Sequence, residues 1–296
     1  FKSLLLGQTL KEPFESYSHI LPNNSAWATH LSYQNKEKEL KPYTNCTAIE
    51  NGWVWNIPLW SKMGTGYVYS DKYISDDDAL KQFKKYLGQE DLEFKKLKMR
   101  TGIHKNIWVK NVCAIGLSAG FIEPLESNGL LSVHEFLEKL LRVLQRPVIS
   151  TFIKQQFNFS CRNLFNSFAE FVALHYALSV RTDTPYWQDI QKKNYPLNEK
   201  LVQVSSDFQK LAFNKFAEYH YPQDGGIDCI ATGMNWYATD LTAVMYNLRT
   251  NDLKELQKKW QPAIDRLNKR KKEWNSLAHF CPSLFDYLKK NIYKCN

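Results

Sequence analysis

The chain has 296 residues, enough for one large domain or two modest ones, and with 44% hydrophobic and 23% charged residues it can bury a core, which excludes a disordered chain. A net charge of +9 raises nucleic acid or an anionic surface as a partner. However, the bases are mixed with acids in KEKELK and LKELQKKW, and even the densest cluster, LNKRKKEW at 267–274, fits a solvated helix face without any nucleic-acid motif.

No apolar run is long enough to cross a bilayer, so no membrane partner is expected. Cys46, Cys113, Cys161, Cys229, Cys281 and Cys295 form neither a CxxC pair nor a Cys/His zinc spacing. Reduced, mostly buried thiols, no metal site and a cytoplasmic location are the expectation. Three sequons, at Asn23, Asn45 and Asn158, have no signal peptide to support their use.

In chain order, FKSLLLGQTL opens on neither a cap nor a turn and reads as the middle of an element, so a longer product is expected. AWATHLSY (26–33) reads as a strand. GWVWNIPLW (52–60) and GTGYVYSD (64–71) read as two more, joined by Ser61-Lys62-Met63 and a glycine-rich turn into a hairpin. Period-two alternation puts Trp53, Trp55 and Ile57 on one face and Val54 and Asn56 on the other. Tyr67 and Tyr69 alternate likewise on the partner strand.

SDDDALKQFKKYL (75–87) reads as a helix capped by Ser75, with acids in its first turn and lysines later. WVKNVCAIGLSAG (108–120) reads as a short buried strand entering a glycine-rich turn. From Asn128 the pattern is helical: Leu130, Val133, Leu137, Leu140, Leu141 and Leu144 recur at three- and four-residue spacing. Further helical segments cover roughly 150–180, 198–220, 235–249 and 252–274. The expected fold class is α+β, with a sheet-containing part at 1–127 and an all-helical part at 128–296, and no internal repeat.

The chemistry concentrates in GLSAGFIEPLESNGLL (116–131). Gly116 and Gly120 relax the backbone, Pro124 fixes a bend, and Ser127 or Asn128 is placed to cap the helix that follows. The first amides of that helix, near Gly129 and Leu130, lack intrahelical acceptors and suit an anion or an electron-rich oxygen. Glu126 is either a second cap on those amides or a general base beside an anion site.

Neither this stretch nor the tryptophan strand decides a function alone. In this order, with KNVCAIGLSAGF between them, Gly52-Trp53-Val54-Trp55-Asn56-Ile57-Pro58 and Phe121-Ile122-Glu123-Pro124-Leu125-Glu126-Ser127 resemble the GWxWxIP and EPLES landmarks of the flavin-dependent halogenases of the tryptophan halogenase type. HYALSVRTDTPYWQDI (175–190) looks like a further segment of that family.

The resemblance implies a flavin monooxygenase-like fold. The sheet-rich part binds FAD, and the helical part covers a small aromatic substrate. Reduced FAD and molecular oxygen oxidise a halide ion to hypohalous acid, which halogenates an indole, phenol or pyrrole at the far end of a tunnel. Trp53, Trp55, Ile57 and Pro58 would form the tunnel wall near the flavin. Glu126 would polarise the halogenating species or accept the ring proton, and Ser127 would orient a carbonyl or the glutamate. Backbone amides of Asn128 and Gly129 would hold the halide. Gly116, Leu117 and Leu130 would lie along the cofactor, and His220, Tyr221 and Trp236, with Tyr219 and Tyr237, would line the substrate.

The family's GxGxxG phosphate loop and the lysine that follows it are absent from these residues, and Gly64-Thr65-Gly66 is no substitute because it lies in a hairpin. These residues alone are therefore not expected to hold FAD tightly. A separate flavin reductase is expected as a partner, and a homodimer is compatible with the sequence. The rival readings are a flavin-dependent aromatic hydroxylase and a non-catalytic protein that binds through its aromatic strand and basic surface. The tryptophan wall argues against the first, and the turn into EPLES against the second.

Overall fold

The computed structural model describes residues 3–193, 229–230, 233–234 and 252–294. Its centre is a five-stranded antiparallel sheet built from β2 (Ser25–Leu31), β3 (Asn45–Ile49), β4 (Gly52–Pro58), β5 (Met63–Tyr69) and β6 (Lys95–Lys98), in the order β3-β4-β5-β2-β6. The expected tryptophan hairpin is β4–β5, in register with Trp53 opposite Val68, Val54 opposite Tyr67 and Trp55 opposite Gly66. A three-stranded sheet joins β1 (Phe14–Ser16), β7 (Gly102–His104) and β10 (Gly120–Phe121).

Alternation along β4 sorts its side chains into two cores. Val54 packs with Tyr67, Tyr69 and the helix α2 (Asp76–Leu87), which contributes Ala79 and Phe83. Trp53 and Trp55 face the other way, into the main core, with Phe165, Phe168, Val172 and Tyr176 from the long helix α4 (Thr151–Ala177). That core draws buried residues from both sides of position 127. Helix α2 is capped as its sequence foretells: the Ser75 hydroxyl accepts from the Asp78 amide at 3.1 Å, and three aspartates occupy the first turn.

Trp55 lies flat over its partner strand because position 66 has no side chain. A Cβ built there would sit 2.1 Å from the Trp55 ring. Gly64-Thr65-Gly66, expected in the hairpin turn, lies within β5 instead, and Gly66 makes room for the indole rather than for a phosphate.

Both sheet edges are covered or charged. β6 has the sequence KKLK. The β3 edge is closed by the loop leading into α5 (Pro185–Lys193). There Arg181 donates to the Ala48 carbonyl (2.6 Å), Trp187 Nε1 to that of Ile49 (2.8 Å) and the Thr184 hydroxyl to that of Glu50 (2.7 Å). The RTDTPYW sequence is therefore a clasp of side-chain donors on an otherwise open strand.

Among the described residues the remaining α-helices are α1 (Lys36–Glu39), α3 (Asn128–Leu144), α6 (Leu253–Phe280) and α7 (Leu284–Tyr287). The basic run 267–274 on α6 is solvent-exposed throughout, as a solvated face requires. After α7 the chain returns to the hairpin, where Tyr293 stacks on Trp60 (centroids 4.5 Å, planes 12° apart) and Lys36 Nζ sits 3.2 Å above the same ring. Trp60 therefore belongs to a terminal clasp, apart from Trp53 and Trp55.

Several expectations need correction. FKSLLLGQTL does open on a cap: the Ser3 hydroxyl accepts from the Gly7 amide (3.3 Å) at the start of a π-helical turn over Leu4–Thr9. WVKNVCAIG is a hairpin of two short strands, β8 (Trp108–Val109) and β9 (Val112–Cys113), because Lys110 takes a left-handed turn conformation with φ 54°. The thiols are not mostly buried: of the five described, Cys161 is buried and Cys113 half-buried, while Cys46, Cys229 and Cys281 are exposed, and all five are unpaired. Two sequon asparagines, Asn23 and Asn158, are buried and hydrogen-bonded inside the fold. The expected helices at 198–220 and 235–249 lie outside the described residues. No described helix is long and apolar enough to cross a membrane, and the described residues contain no cluster of metal-ligating side chains.

Candidate active site

Strand β4 runs from the core to the surface. Trp53 is buried and Trp55 half-buried, their rings 6.1 Å apart and inclined by 60°. The Trp53 indole donates to the Tyr176 hydroxyl on α4 at 3.0 Å, which locks its orientation. Pro58 is half-buried, and Ile57 is exposed at the outer end of the same face.

The second motif is a sequence of tight turns. Residues Gly116–Ser118 form a short 3-10 turn entered through Gly116, whose φ of 63° suits glycine. After β10 and Pro124, Glu126 and Ser127 both adopt left-handed backbone conformations, with φ 69° and 52°. Two consecutive non-glycine residues in that region cost on the order of 1–3 kcal/mol each, and such strain persists only where the surroundings enforce it.

Helix α3 begins directly after this turn. Ser127 stands at its N-cap position but makes no capping bond, contrary to the expectation from sequence. Its left-handed backbone turns the hydroxyl away from the geometry that an extended N-cap residue provides. Glu126 does not cap the helix either: its Oε1 lies 2.9 Å from His175 Nε2 on α4. The first amides of α3 are thus left without a side-chain cap. Asn128 is buried, and its Nδ2 has no hydrogen-bond partner among the described residues. A Cβ at Gly129 would meet open space. An orphaned buried N–H donor, uncapped helix amides and free room together suit an anion.

The Glu126–His175 pair has a defined proton arrangement. His175 Nδ1 lies 3.0 Å from the Phe171 carbonyl, which only accepts, so Nδ1 carries hydrogen. A proton must then lie between Nε2 and Glu126 Oε1. The hydrogen bond from His175 holds the Glu126 carboxyl below its ordinary pKa, with partial burial opposing and the His175 charge assisting. Burial pushes the Cys46 thiol up, and the Glu126 carboxylate adds to that. Cys46 pairs directly with Trp55 across β3 and β4, so the two share a sheet face. His175, which holds Glu126, is the chain neighbour of Tyr176, which holds Trp53, so the two motifs meet at adjacent residues of α4.

The structure brings Glu126, Ser127, Asn128 and Gly129 together at one helix start, with the two tryptophans on the facing sheet. Gly116 abuts Val133 on the first turns of α3, and the side chains of Leu117 and Leu130 are exposed. Exposed apolar groups at a glycine bend suit a broad flat ring laid over them. Leu117 also lines a cavity of about 290 Å³ with Gly7, Arg100, His104 and Phe121, whose walls include none of the tryptophans and not Glu126. Tyr219, His220, Tyr221, Trp236 and Tyr237 lie outside the described residues. Sequence reading passed over His175, although it opens the segment HYALSVRTDTPYWQDI; its partner is 49 positions away, beyond any local pattern.

The sequence model of the family described as tryptophan halogenase matches residues 1–244. The chain is similar to Tryptophan 6-halogenase SttH of Streptomyces toxytricini, with 38% identity over 66% of this chain and 38% of that protein. It is also similar to 7-chloro-L-tryptophan 6-halogenase KtzR of Kutzneria sp. (strain 744), with 32% identity over 97% of this chain and 54% of that protein. The chain thus spans about half the length, or less, of these relatives. Among solved structures, that of VirX1 aligns with a TM-score of 0.79 at 35% identity, covering 100% of this chain and 58% of that one. The flavin-dependent halogenase BrvH from Brevundimonas sp. BAL3 aligns with a TM-score of 0.79 at 26% identity, covering 98% and 56%. A sequence model that fits 1–244, together with relatives matched along both landmark motifs' stretch of chain, shows that the chain belongs to the tryptophan halogenase family.

Proposed function

We propose that the protein is a flavin-dependent halogenase that transfers an oxidised halogen to an electron-rich aromatic ring. The observation that carries this reading is the meeting of the two motifs at α4: His175 holds Glu126 and its neighbour Tyr176 holds Trp53, beside an uncapped helix start with an orphaned donor. The oxidising equivalents come from reduced FAD with molecular oxygen, with the reduced cofactor supplied by a separate flavin reductase.

On this reading the chain divides the work as follows. Residues 1–127, part of a flavin monooxygenase-like fold, present Gly116 and Leu117 to the cofactor, joined by Leu130 on α3, and 128–296 covers the substrate. The amides of Asn128 and Gly129 hold the halide, and the unpartnered Asn128 Nδ2 is a further donor for it. Trp53 and Trp55, with Ile57 and Pro58, exclude water and substrate from the oxidising end. Glu126 orients hypohalous acid and accepts the proton that the ring loses on substitution; the shared proton with His175 gives that carboxylate a defined starting state. Ser127 keeps the glutamate in its left-handed turn. The relatives named as tryptophan halogenases make an indole the first substrate to try, with phenols and pyrroles next. The thiols, unpaired throughout the described residues, fit a cytoplasmic enzyme.

The test uses the full-length protein with FAD, a flavin reductase and its nicotinamide. Indoles, phenols and pyrroles are offered with chloride, bromide or iodide, and product masses are read. Halide-dependent halogenated product that is lost in Glu126→Gln is the expected result. Hydroxylated product without halide dependence would replace this reading with a hydroxylase.

A further inference from the structure

A second carboxylate of the EPLES turn, Glu123, is fully buried and has no role in the mechanism above. Among the described residues no basic side chain pairs with it. Instead, a set of neutral donors converges on it. Asn23 gives its backbone amide (3.3 Å) and its Nδ2 (2.9 Å), and the Tyr176 hydroxyl donates to Oε2. Behind these stands a second rank: Trp53 Nε1 donates to the Tyr176 hydroxyl (3.0 Å), as does Asn23 Nδ2 (2.9 Å), and the Tyr186 hydroxyl donates to Asn23 Oδ1 (3.1 Å). Every donor in the chain points toward one carboxylate, and each hydrogen bond polarises the next.

The elements so joined are those of the candidate site. Trp53 belongs to the tryptophan strand and Glu123 to the turn that carries Glu126, three residues on. Tyr176 is the helix neighbour of His175. Two adjacent residues of α4 therefore grip two carboxylates of one turn, Tyr176 the buried one and His175 the half-exposed one.

Resting on the halogenase reading, we propose that Glu123 is a positioning residue: its grip on Tyr176 fixes the strained turn of Glu126 against His175 and holds the Trp53 wall in place. A buried carboxylate without a cation is a costly way to fill a core, since burial pushes Glu123 up to about 7 despite the bonds from Tyr176 and Asn23. A Leu at this position would fill space but could not draw Tyr176, Asn23 and Trp53 to a common point. The titratable groups facing Glu123 are Tyr176 on α4 and Tyr186 on α5, and those facing Glu126 are His175 on α4 and Cys46 on β3.

The test compares Glu123→Gln and Tyr176→Phe with wild type in the full-length protein. Tyr176→Phe keeps the ring and serves if Glu123→Gln fails to fold. Two readouts are taken: the pH profile of halide-dependent kcat, and the infrared titration of the Glu126 carboxylate, identified by its loss in Glu126→Gln. With the grip lost, His175 no longer holds Glu126 low. The acid limb of kcat and the infrared titration should then both move to higher pH, and kcat at the optimum should fall about tenfold or more while KM for the aromatic changes less. A folded variant in which Glu126 titrates as in wild type overturns the proposal. If wild type makes no halogenated product, the functional reading fails, and the infrared titration still decides whether Glu123 positions Glu126.

Discussion

At the scale of single residues, the site works by giving chemically similar side chains different surroundings. Glu123 and Glu126 lie three positions apart in one turn. Burial drives the first above the ordinary carboxyl range, and a histidine holds the second below it. Replacing His175 by Phe removes that partner, so Glu126 should titrate at higher pH. Since the proposed chemistry needs the ionised carboxylate, activity is present above the Glu126 pKa and lost as pH falls through it; the acid limb of the kcat profile should therefore shift upward in the variant. An unmoved limb would mean that a different group sets it. Trp53→Phe keeps an aromatic ring but removes the donor to Tyr176 and part of the packed volume. It should destabilise the protein by roughly 1–3 kcal/mol, read by urea unfolding. Local pattern located Glu126, Ser127, Asn128 and Gly129, because a proline, a turn and a helix start leave marks within a few residues. It could not locate His175, Tyr176 or Asn23, whose roles depend on contacts 49, 53 and 100 positions away.

At the scale of elements, the tryptophan hairpin depends on what it lacks. The Trp55 ring occupies the space where a side chain on residue 66 would stand. Gly66→Ala should force the indole aside and cost about 1–3 kcal/mol or more, seen as a lowered urea midpoint with an unchanged slope. Glycine in GTG is legible as a turn or a phosphate loop. Only the cross-strand register, Trp55 against Gly66, shows it to be a packing site. The clasp RTDTPYW has the same character. Its sequence reads as a loop before a helix, and its purpose appears once β3 is seen to be an edge. The capping of α2 by Ser75 was readable because cap and helix are contiguous. The failed cap at Ser127 was not, because a left-handed backbone at Glu126 and Ser127 is imposed by the rest of the molecule.

At the scale of the whole molecule, the convergence of donors on Glu123 links the site to stability. The folded carboxyl titrates near 7, above the ordinary glutamate value of about 4.3 expected when unfolded. Between those values the folded state binds more protons than the unfolded one, so this group's contribution to stability falls as pH rises. Gln does not titrate, so the stability of wild type relative to Glu123→Gln should decline by on the order of 3 kcal/mol between pH 4.5 and 7.5. Urea unfolding at both values measures it, and a constant difference would refute the buried ionisation. The α+β class and the order of sheet before helices were legible from periodicity alone. The joining of strand, turn and α4 into one core across position 127 was not, because each amphipathic face announces that it is buried without saying against what.

The clasp on β3 has a further consequence. A sheet grows by offering carbonyls and amides on its outermost strand to another chain, and here Arg181, Thr184 and Trp187 already occupy the carbonyls of Ala48, Glu50 and Ile49, while the opposite edge presents lysines. Neither margin is left as a template for strand addition. Two copies are therefore not expected to join by extending this sheet, and a variant stripped of the clasp, such as Arg181→Ala with Trp187→Phe, should begin to pair edge to edge through its exposed β3 backbone, visible as light scattering that rises with protein concentration.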